Sequence, residues 1–387
     1  MFHPLQVAAI EPLTDDAVAV TFDVPPELRE TFRHTPGQHI AVRRVVDGQE
    51  IRRTYSICAP ATAEPVLRVG IRLVDGGAFS TYALKELAVG DTVEVMAPAG
   101  RFVLDPRPGH FVGIVGGSGI TPVLSIATTL LDRQPDARFC LIRSDRTAAS
   151  TMFLEEVADL KDRHPDRFQL LHTLSREEQQ AGLPSGRLDE GRLRDLLPAL
   201  LPVGDVDGWF LCGPYGLIQS AERALRALQV PRNRVHEEIF HVDADTVNAG
   251  PVNAGTATPP TAISPPPSSD AAATASGTAS DSGSVPASGT AAIPPVRSTV
   301  TATLDGRSGD WAVRDGEALL ETVLRHRSDA PYACKGGVCG TCRAFLVSGE
   351  IRMDRNFALE AEEVEAGYVL ACQSHPLTER VELDFDR

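Results

Sequence analysis

Four cysteines near the carboxyl end of the chain have a spacing that suits an iron–sulfur cluster. Cys334, Cys339 and Cys342 form a C-x4-C-x2-C pattern, and Cys372 follows about thirty residues later. Thiolates are soft, charged ligands that suit iron, and this spacing is one of those that hold a 2Fe–2S cluster. Glycines among the cysteines let backbone N–H groups approach the sulfurs and tune the reduction potential. The pattern therefore predicts a carrier of single electrons.

Two other uses of these cysteines are less favoured. Structural zinc sites usually contain two C-x2-C pairs or paired cysteines and histidines, whereas this region has a single C-x2-C. A disulfide framework is typical of shorter, more cysteine-rich secreted chains. The chain has three further cysteines, of which Cys58 and Cys140 are expected to be buried structural residues.

A second group of residues could bind a flavin nucleotide. Arg53-Thr54-Tyr55-Ser56 closes a predicted strand. The arginine offers a forked contact to a pyrophosphate, and the tyrosine offers a flat face to the isoalloxazine ring. The serine offers a hydrogen bond to flavin N5. Taken alone, such a tetrapeptide is usually an ordinary mixture of surface and core residues, so its interpretation depends on its context.

A glycine-rich turn further along the chain suits a nicotinamide dinucleotide. Gly116-Gly117-Ser118-Gly119-Ile120-Thr121-Pro122 follows the continuous apolar run Phe111–Val115. The start of a helix offers free N–H groups and the positive end of its dipole to phosphate. We predict Thr121 as the N-cap residue and Pro122 as the first helical residue. Because the turn is not G-x-G-x-x-G, it is weak evidence by itself.

The elements that must position these residues change in character along the chain. Residues 1–105 contain short apolar stretches separated by turn signals, which predict an antiparallel β-barrel. In residues 106–242 strands alternate with helices, which predicts a parallel α/β sheet with helices on both faces. Residues 298–387 mix strand patterns with one helix, as in a small α+β domain. In the second region the predicted strands are Phe139–Ile142, Phe168–Leu171 and Trp209–Cys212, and the predicted helices are Phe153–Asp162, Leu188–Leu197 and Leu217–Leu228.

Composition restricts the classes of partner. The formal net charge is −15 at pH 7, which argues against binding to nucleic acid or to an anionic membrane. No apolar run is long enough for a transmembrane helix, and no secretory leader is visible at the amino end. The few scattered cysteines favour the cytoplasm over an oxidising compartment.

Taken together, the motifs resemble the ferredoxin–NADP reductase superfamily followed by a plant-type ferredoxin domain of the β-grasp fold. R-x-Y-S is the FAD signature of that superfamily, and the glycine-rich turn resembles its NAD(P) loop. The stretches Pro331–Cys339 and Gly367–Gln373 resemble the cluster-binding segments of the ferredoxins. Further segments occur in the same order as in the reductases: Pro36–Gln38, Val69–Arg72, Gly76–Thr81 and Pro98–Phe102.

This resemblance implies a set of site residues. The implied FAD-binding residues are Arg53, Tyr55, Ser56, Val69, Ile71, Arg72, Gly76, Gly77, Phe79, Ser80 and Phe240. The implied nicotinamide-binding residues are Gly117, Ser118, Gly119, Thr121, Gly213 and Pro214. The implied hydride-transfer site contains Ser56, Cys212 and Glu238, and the implied metal ligands are the four cysteines Cys334, Cys339, Cys342 and Cys372. A buried structural cysteine and a core phenylalanine remain alternatives for Cys212 and Phe240.

The choice between NADPH and NADH depends on arginines. The 2′-phosphate of NADPH calls for basic side chains, whereas NADH sites more often place an acid at the ribose. Ser175-Arg176 followed by Arg187 resembles the NADP-selective pattern of plant-type reductases, with Arg143 and Arg146 as further candidates. That family has a tyrosine two residues after the second arginine, where this chain has Asp189. We expect NADPH, with NADH as the alternative.

The order of the domains resembles the reductase components of multicomponent oxygenases. Met353–Glu360 and Cys372–Leu377 carry much of this closer resemblance. It implies that electrons pass from NADPH to FAD, then singly to the cluster, and then to a di-iron oxygenase. Alternatives are a reductase for a different oxygenase and a general NAD(P)H:acceptor reductase. A redox sensor is disfavoured because no DNA- or effector-binding segment is visible.

Residues 243–297 depart from that family because they form an unusually long connection. The stretch from Val247 to Pro295 is almost entirely Ala, Pro, Ser, Thr and Gly, which predicts a disordered linker. A tether of about fifty residues has a root-mean-square reach of roughly 35–40 Å. We hypothesise that the ferredoxin domain shuttles on it, loading at the flavin and unloading at the oxygenase.

Shortening this linker to a few residues tests the shuttling hypothesis. We expect reduction of the partner oxygenase to slow severalfold, because the domain can no longer reach it. The measurement is the rate of partner reduction, with reduction of the chain's own cluster as the internal control. Unchanged turnover with the partner would count against shuttling.

Overall fold

The computed structural model describes residues 2–46, 48–177, 185–241, 298–359 and 361–387, and the linker predicted at 243–297 lies outside them. The described residues form three domains, each built around its own sheet. Among the described residues, no helix is long and apolar enough to cross a membrane.

The first domain is an antiparallel sheet that closes on itself, as predicted. Its strands follow the order β4-β3-β6-β1-β2-β5. A bridge between Ile57 and Val69 joins the region after β4 to β5, so the two edges of the sheet meet. The strands are β1 (Phe2–Thr14), β2 (Ala17–Asp23), β3 (His39–Val46), β4 (Gln49–Ser56), β5 (Leu67–Arg72) and β6 (Thr92–Met96).

Two elements of this domain differ from the sequence-based expectation. Strand β1 is 13 residues long and was not predicted, because Pro4 and Pro12 interrupt its pattern. It is shared between two neighbours, since Phe2–Gln6 pairs with β6 and the remainder pairs with β2 across two bulges. The Gly76–Thr81 segment, for which no helix was predicted, leads into the helix α1 (Ala78–Lys85).

The second domain is a parallel five-stranded sheet with helices on both faces, which confirms the predicted α/β architecture. Its order is β11-β10-β7-β8-β9. Helices α2 and α3 share one core with one face of the sheet, and α4 and α5 share another core with the opposite face. The strands are β7 (Gly109–Gly116), β8 (Ala137–Asp145), β9 (Phe168–Leu174), β10 (Gly208–Pro214) and β11 (Val235–His241). The helices are α2 (Ile120–Arg133), α3 (Leu154–Arg163), α4 (Glu190–Leu200) and α5 (Tyr215–Ala227).

The start of α2 corrects one prediction. The N-cap residue is Gly119, and no side chain caps the helix. Thr121 lies inside the first turn, where its hydroxyl donates to the Ser118 carbonyl at 2.9 Å. Pro122 is the third helical residue. The glycine turn is therefore continuous with the helix, and its backbone N–H groups are not covered by a capping side chain.

The third domain is the predicted α+β domain. Its main sheet has the order β13-β12-β18-β14-β16, with β12 and β18 parallel, and β15 pairs separately with β17. Helix α6 packs Leu319, Leu320 and Val323 into the core. The strands are β12 (Thr299–Leu304), β13 (Arg307–Ala312), β14 (Arg343–Ser348), β15 (Ile351–Met353), β16 (Tyr368–Leu370), β17 (Ser374–Pro376) and β18 (Arg380–Asp384). The helices are α6 (Leu319–His326) and α7 (Ala361–Glu365).

Candidate functional site

The four predicted cluster ligands come together as two pairs. Three lie in the loop between α6 and β14, and Cys372 follows β16, which pairs with β14. Cys339 is in hydrogen-bond contact with Cys334, and Cys342 is in hydrogen-bond contact with Cys372. A 2Fe–2S cluster has four cysteine ligands for its two irons, so two close pairs fit it. Among the described residues no group of three His, Cys, Asp or Glu side chains is placed to hold a single metal ion.

Hydrogen bonds favour the thiolate form of one cysteine in each pair. The hydrogen bond from Cys339 is the main reason that the pKa of Cys334 is lowered to about 5, and the backbone N–H of Gly336 also donates at 3.3 Å. The pKa of Cys372 is lowered, chiefly by its hydrogen bond from Cys342. The pKa values of Cys339 and Cys342 are raised by the same two hydrogen bonds and by burial. Thiolates bind iron, so these residues fit the cluster.

The backbone of the cysteine loop needs its glycines. Gly337 has a φ of +78°, and a Cβ there would lie 2.9 Å from the Arg355 carbonyl oxygen. Gly340 has a φ of +67°. These left-handed conformations turn the loop tightly, and glycine adopts them without steric cost.

The glycine turn after β7 and the segment after β10 pack backbone against backbone. A Cβ on Gly119 would lie 2.1 Å from the Cys212 carbonyl oxygen, and a Cβ on Gly213 would lie 2.7 Å from the Gly116 carbonyl oxygen. Strands β7 and β10 are neighbours in the sheet. The strand that follows β7 in the chain, β8, lies on one side of this pair, and the strand that follows β10, β11, lies on the other, so the strand order reverses between β7 and β10. Ligands of open α/β sheets bind at such a point, outside the carboxyl ends of the strands. The structure thus brings Gly117, Ser118, Gly119, Thr121, Gly213 and Pro214 together at the point where the predicted nicotinamide dinucleotide would bind.

The predicted hydride-transfer residues converge from two domains. Ser56 ends β4 of the first domain, and its hydroxyl donates to Glu238 Oε2 on β11 at 3.4 Å. Cys212 on β10 has its sulfur 4.0 Å from the same oxygen. Burial, with a smaller contribution from Glu238, raises the pKa of the Cys212 thiol, which therefore stays protonated. A single carboxylate links the barrel to the parallel sheet at this point.

Sequence reasoning missed His39, which belongs to the same group. Its Nδ1 lies 3.7 Å from Glu238 Oε1, and the residue is buried and directly opposite Ser56 in the β3–β4 pairing. Gly100 has a φ of +110°, and a Cβ there would come within 2.8 Å of His39 Nδ1. The feature of the sequence that could have identified His39 is its position directly after the Pro36-Gly37-Gln38 segment.

The residues implied for FAD include both buried and exposed side chains. The rings of Tyr55 and Phe79 lie 5.7 Å apart at the barrel edge, and burial raises the pKa of Tyr55. Val69 and Ile71 are fully buried in the barrel core, so only their backbone is available to a ligand. Arg53 is exposed.

The loop before α1 has the shape expected for close approach of a phosphate. Gly76 has a φ of +68°, and a Cβ on Gly77 would lie 2.5 Å from Ser80 Oγ. That hydroxyl accepts from the Val74 N–H at 3.1 Å and donates to the Gly77 carbonyl at 3.2 Å. The two glycines of this loop leave room for backbone N–H groups to approach the pyrophosphate of FAD.

Two other implied FAD residues lie where domains meet. Arg72 forms an ion pair with Asp16 at 3.4 Å and donates to the Ser150 carbonyl of the second domain. Its guanidinium also lies 3.2 Å from where a Cβ on Gly117 would be. Phe240, in the last strand of the second domain, is partly buried against the core that contains α2.

The arginines proposed for the 2′-phosphate are not equivalent. Arg143 is 1% exposed and donates to Asp145 at 2.8 Å, so it is held inside the domain. Arg146 and Arg176 are exposed and adjacent, since the Arg176 N–H donates to the Arg146 carbonyl at 2.9 Å beyond the ends of β8 and β9. Arg187 is exposed, just after undescribed residues.

The presence of Asp189, where plant-type reductases have a tyrosine, has a local structural explanation. Asp189 is the N-cap of α4, and its carboxylate accepts from the backbone N–H of Arg192 at 2.9 Å. Asparagine, aspartate and serine are preferred at such positions. Its role here is therefore structural.

A flavin site on a barrel, a nicotinamide site at the reversal point of a parallel sheet and the ligands of a 2Fe–2S cluster define an NAD(P)H-dependent iron–sulfur flavoprotein reductase. Family models match in the same order: an oxidoreductase FAD-binding domain over residues 4–104, an oxidoreductase NAD-binding domain over 114–223, and a 2Fe–2S iron–sulfur cluster binding domain over 302–377.

Full-length relatives narrow this class. The chain is 39% identical to a subunit of the 1,2-phenylacetyl-CoA epoxidase of Escherichia coli (strain K12), with 100% of this chain and 98% of the relative covered. It is 29% identical to the ferredoxin reductase component of 3-ketosteroid-9-alpha-monooxygenase from Rhodococcus rhodochrous, over 98% and 96% of the two chains. Phthalate dioxygenase reductase shares the fold, with a TM-score of 0.56, 21% identity, and 99% and 98% coverage.

The chain therefore belongs to the ferredoxin–NADP reductase superfamily with a carboxyl-terminal 2Fe–2S domain, in the same family as that component of the epoxidase. It transfers electrons from NAD(P)H through FAD to the 2Fe–2S cluster.

Proposed function

We propose that this reductase supplies a di-iron oxygenase of the phenylacetyl-CoA epoxidase type and takes its electrons from NADPH. The assignment of the oxygenase is supported by the full-length similarity to the component of the Escherichia coli epoxidase. The electron-transfer role depends most on the convergence of Ser56, Cys212 and Glu238 from two domains. We also propose domain boundaries at 1–105, 106–242 and 298–387, and a cytoplasmic location, where thiols stay reduced.

The proposed roles of the residues follow from their positions. FAD, when bound, would supply the chemistry that takes two electrons from the nicotinamide and releases them singly. Arg53 and the Gly76–Gly77 loop bind its pyrophosphate, and Tyr55 supports its ring. The Gly116–Gly119 turn and Gly213–Pro214 bind the coenzyme and orient it toward the barrel.

The proton of Ser56 Oγ is held by Glu238 Oε2, and His39 lies beside the other oxygen of that carboxylate. Ser56, Glu238 and His39 thus form a row of polar groups that extends from the end of β4 into the interior between the first two domains. We propose that it fixes the position of the Ser56 side chain beside the flavin and that buried Cys212 excludes water there.

An anaerobic titration with NADPH tests the proposal. Absorbance should show bleaching of the flavin, and electron paramagnetic resonance should then show the reduced cluster. The reduced protein should be mixed in turn with the oxygenase of a phenylacetyl-CoA epoxidase and with that of a 3-ketosteroid-9-alpha-monooxygenase. The expected result is faster oxidation by the epoxidase; a preference for the ketosteroid enzyme would favour the function named for the second relative.

Replacing Arg176 with alanine is expected to weaken the preference for NADPH. An exposed arginine on a phosphate contributes charge-assisted hydrogen bonds, so we expect the KM for NADPH to rise about tenfold and the KM for NADH to stay within about twofold. Steady-state kinetics with both coenzymes and ferricyanide measure this. Arg194→Ala on the exposed face of α4 is the control and should change neither KM. Equal changes in the KM values for NADPH and NADH would show that Arg176 does not bind the 2′-phosphate.

A further inference from the structure

A buried arginine joins the barrel to the ferredoxin domain. Arg52 is 2% exposed, although it lies on β4 beside the exposed Arg53. Neighbouring side chains of a strand point to opposite faces, so these two arginines serve different partners. A buried arginine must have its donors satisfied, and those of Arg52 are satisfied largely from another domain.

All three guanidinium nitrogens of Arg52 have partners. Nη1 donates to the Ala330 carbonyl at 3.1 Å and Nη2 to the Ser328 carbonyl at 2.8 Å, both across the domain boundary. Nε donates to Glu50 at 2.6 Å within the barrel. The rigid fork of arginine suits such a planar set of acceptors, and lysine could not reproduce it.

Aromatic rings enclose the same guanidinium. Its central carbon lies 4.1 Å from the ring centre of Tyr332 in the ferredoxin domain and 5.0 Å from that of Phe2 in the barrel. The Tyr332 hydroxyl donates to Glu50 at 2.9 Å. Burial would raise the pKa of Glu50, but its hydrogen bonds from Tyr332 and Arg52 lower it, so the carboxylate stays charged.

The segment held by Arg52 leads directly into the cluster loop. Residues 328–332 connect α6 to Cys334, the first of the iron ligands. At the other end of the same strand, Ser56 contacts Glu238 in the hydride-transfer site. Four strand residues span roughly 13 Å, so one rigid element connects the clamp to the flavin side of the barrel.

Other contacts also cross to the ferredoxin domain, among them that of Val338, which lies between Cys334 and Cys339 and packs against the core of the second domain. Phe357 packs edge-on against Tyr215 of α5 at 5.5 Å between ring centres, and Arg101 of the barrel forms an ion pair with Glu363 of α7. None of these contacts touches the connection between α6 and the cysteines. Among the described contacts, the Arg52 group is therefore the one that holds the connection between α6 and the cysteines.

We propose that Arg52 is the positioning residue that docks the ferredoxin domain for electron transfer, by clamping residues 328–332 against the barrel. This inference rests on the flavin-to-cluster transfer described above. Hydrogen bonds and ring contacts around a charged group can be exchanged for water, so the clamp suits a contact that forms and breaks repeatedly.

The test compares the full-length Arg52→Ala protein with Arg44→Ala. Arg44 also combines an ion pair, with Glu86, and a ring contact, with Tyr82, but both partners lie inside the barrel. Hydrogen–deuterium exchange read by mass spectrometry should show residues 326–333 exchanging about tenfold faster or more in Arg52→Ala alone. Arg52→Gln keeps the experiment interpretable if the alanine variant does not fold.

Rapid mixing with NADPH supplies the second readout. Flavin bleaching should be unchanged in Arg52→Ala, whereas the following reduction of the cluster should slow about tenfold or more. A folded variant with unchanged exchange in residues 326–333, or with unchanged cluster reduction, overturns the proposal. If the reductase assignment itself were wrong, NADPH would fail to bleach the flavin of the unmodified protein, which is a separate result.

Discussion

Cys372→Ser is expected to abolish cluster-dependent electron transfer while NADPH still reduces the flavin. Cys372 and Cys342 form one of the two ligand pairs, so its loss leaves one iron with a single protein thiolate. A serine hydroxyl is a harder ligand and does not ionise readily at neutral pH. Iron and sulfide content, the resonance signal of the reduced cluster and reduction of cytochrome c should all be lost, whereas ferricyanide reduction from the flavin should persist.

Cys58→Ser is the matched control for this experiment. Cys58 is also buried, and its sulfur donates to the Arg68 carbonyl at 3.2 Å, a bond that a serine hydroxyl can also make. We expect full iron content and normal cytochrome c reduction. If Cys372→Ser retained the cluster and Cys58→Ser lost it, the assignment of the ligands would be wrong.

Gly119→Ala is expected to damage the nicotinamide site and the stability of the second domain together. The added methyl would lie 2.1 Å from the Cys212 carbonyl oxygen and 2.7 Å from the Gly213 nitrogen, both rigid backbone atoms. The turn must move away from β10, which we expect to cost about 3 kcal/mol of unfolding free energy, as for a severe case of overpacking. Turnover with NADPH should fall because the proposed coenzyme site is displaced.

Thermal unfolding and ferricyanide reduction at varied NADPH concentration measure these two effects. Gly204→Ala is the control, since a Cβ there would meet nothing within 4 Å. It should alter neither the unfolding temperature nor the kinetics. A Gly119→Ala protein with normal stability and normal KM would mean that the turn is not packed against β10 in solution.

The parts of the site that could be predicted are those that a short stretch of sequence determines. The three cysteines of the C-x4-C-x2-C loop are neighbours in the chain, and the glycine turn lies between a strand and a helix that are each visible in the sequence. Alternation of strands with helices also predicts the parallel sheet. In contrast, the N-cap at Gly119 was missed because Thr121, a better capping residue by type, bonds back to Ser118 instead.

The parts that could not be predicted depend on partners far away in the chain. Arg52 and Ala330 are 278 positions apart, and Ser56 and Glu238 are 182 apart. Nothing in the sequence around Arg52 distinguishes it from the other arginines of the same region. His39 is similar, because only the folded barrel places its ring beside a carboxylate that comes from the second domain.

The position of β18 has a consequence for how the protein matures. This strand is the last of the described strands, yet it lies inside its sheet, between β12 and β14. The ribosome must therefore synthesise the chain up to Asp384 before the third sheet can close, and Cys372 itself emerges only shortly before. The first two sheets are complete by residue 241 and can fold while translation continues. Newly made molecules should thus gain the capacity to bind flavin before they can accept iron.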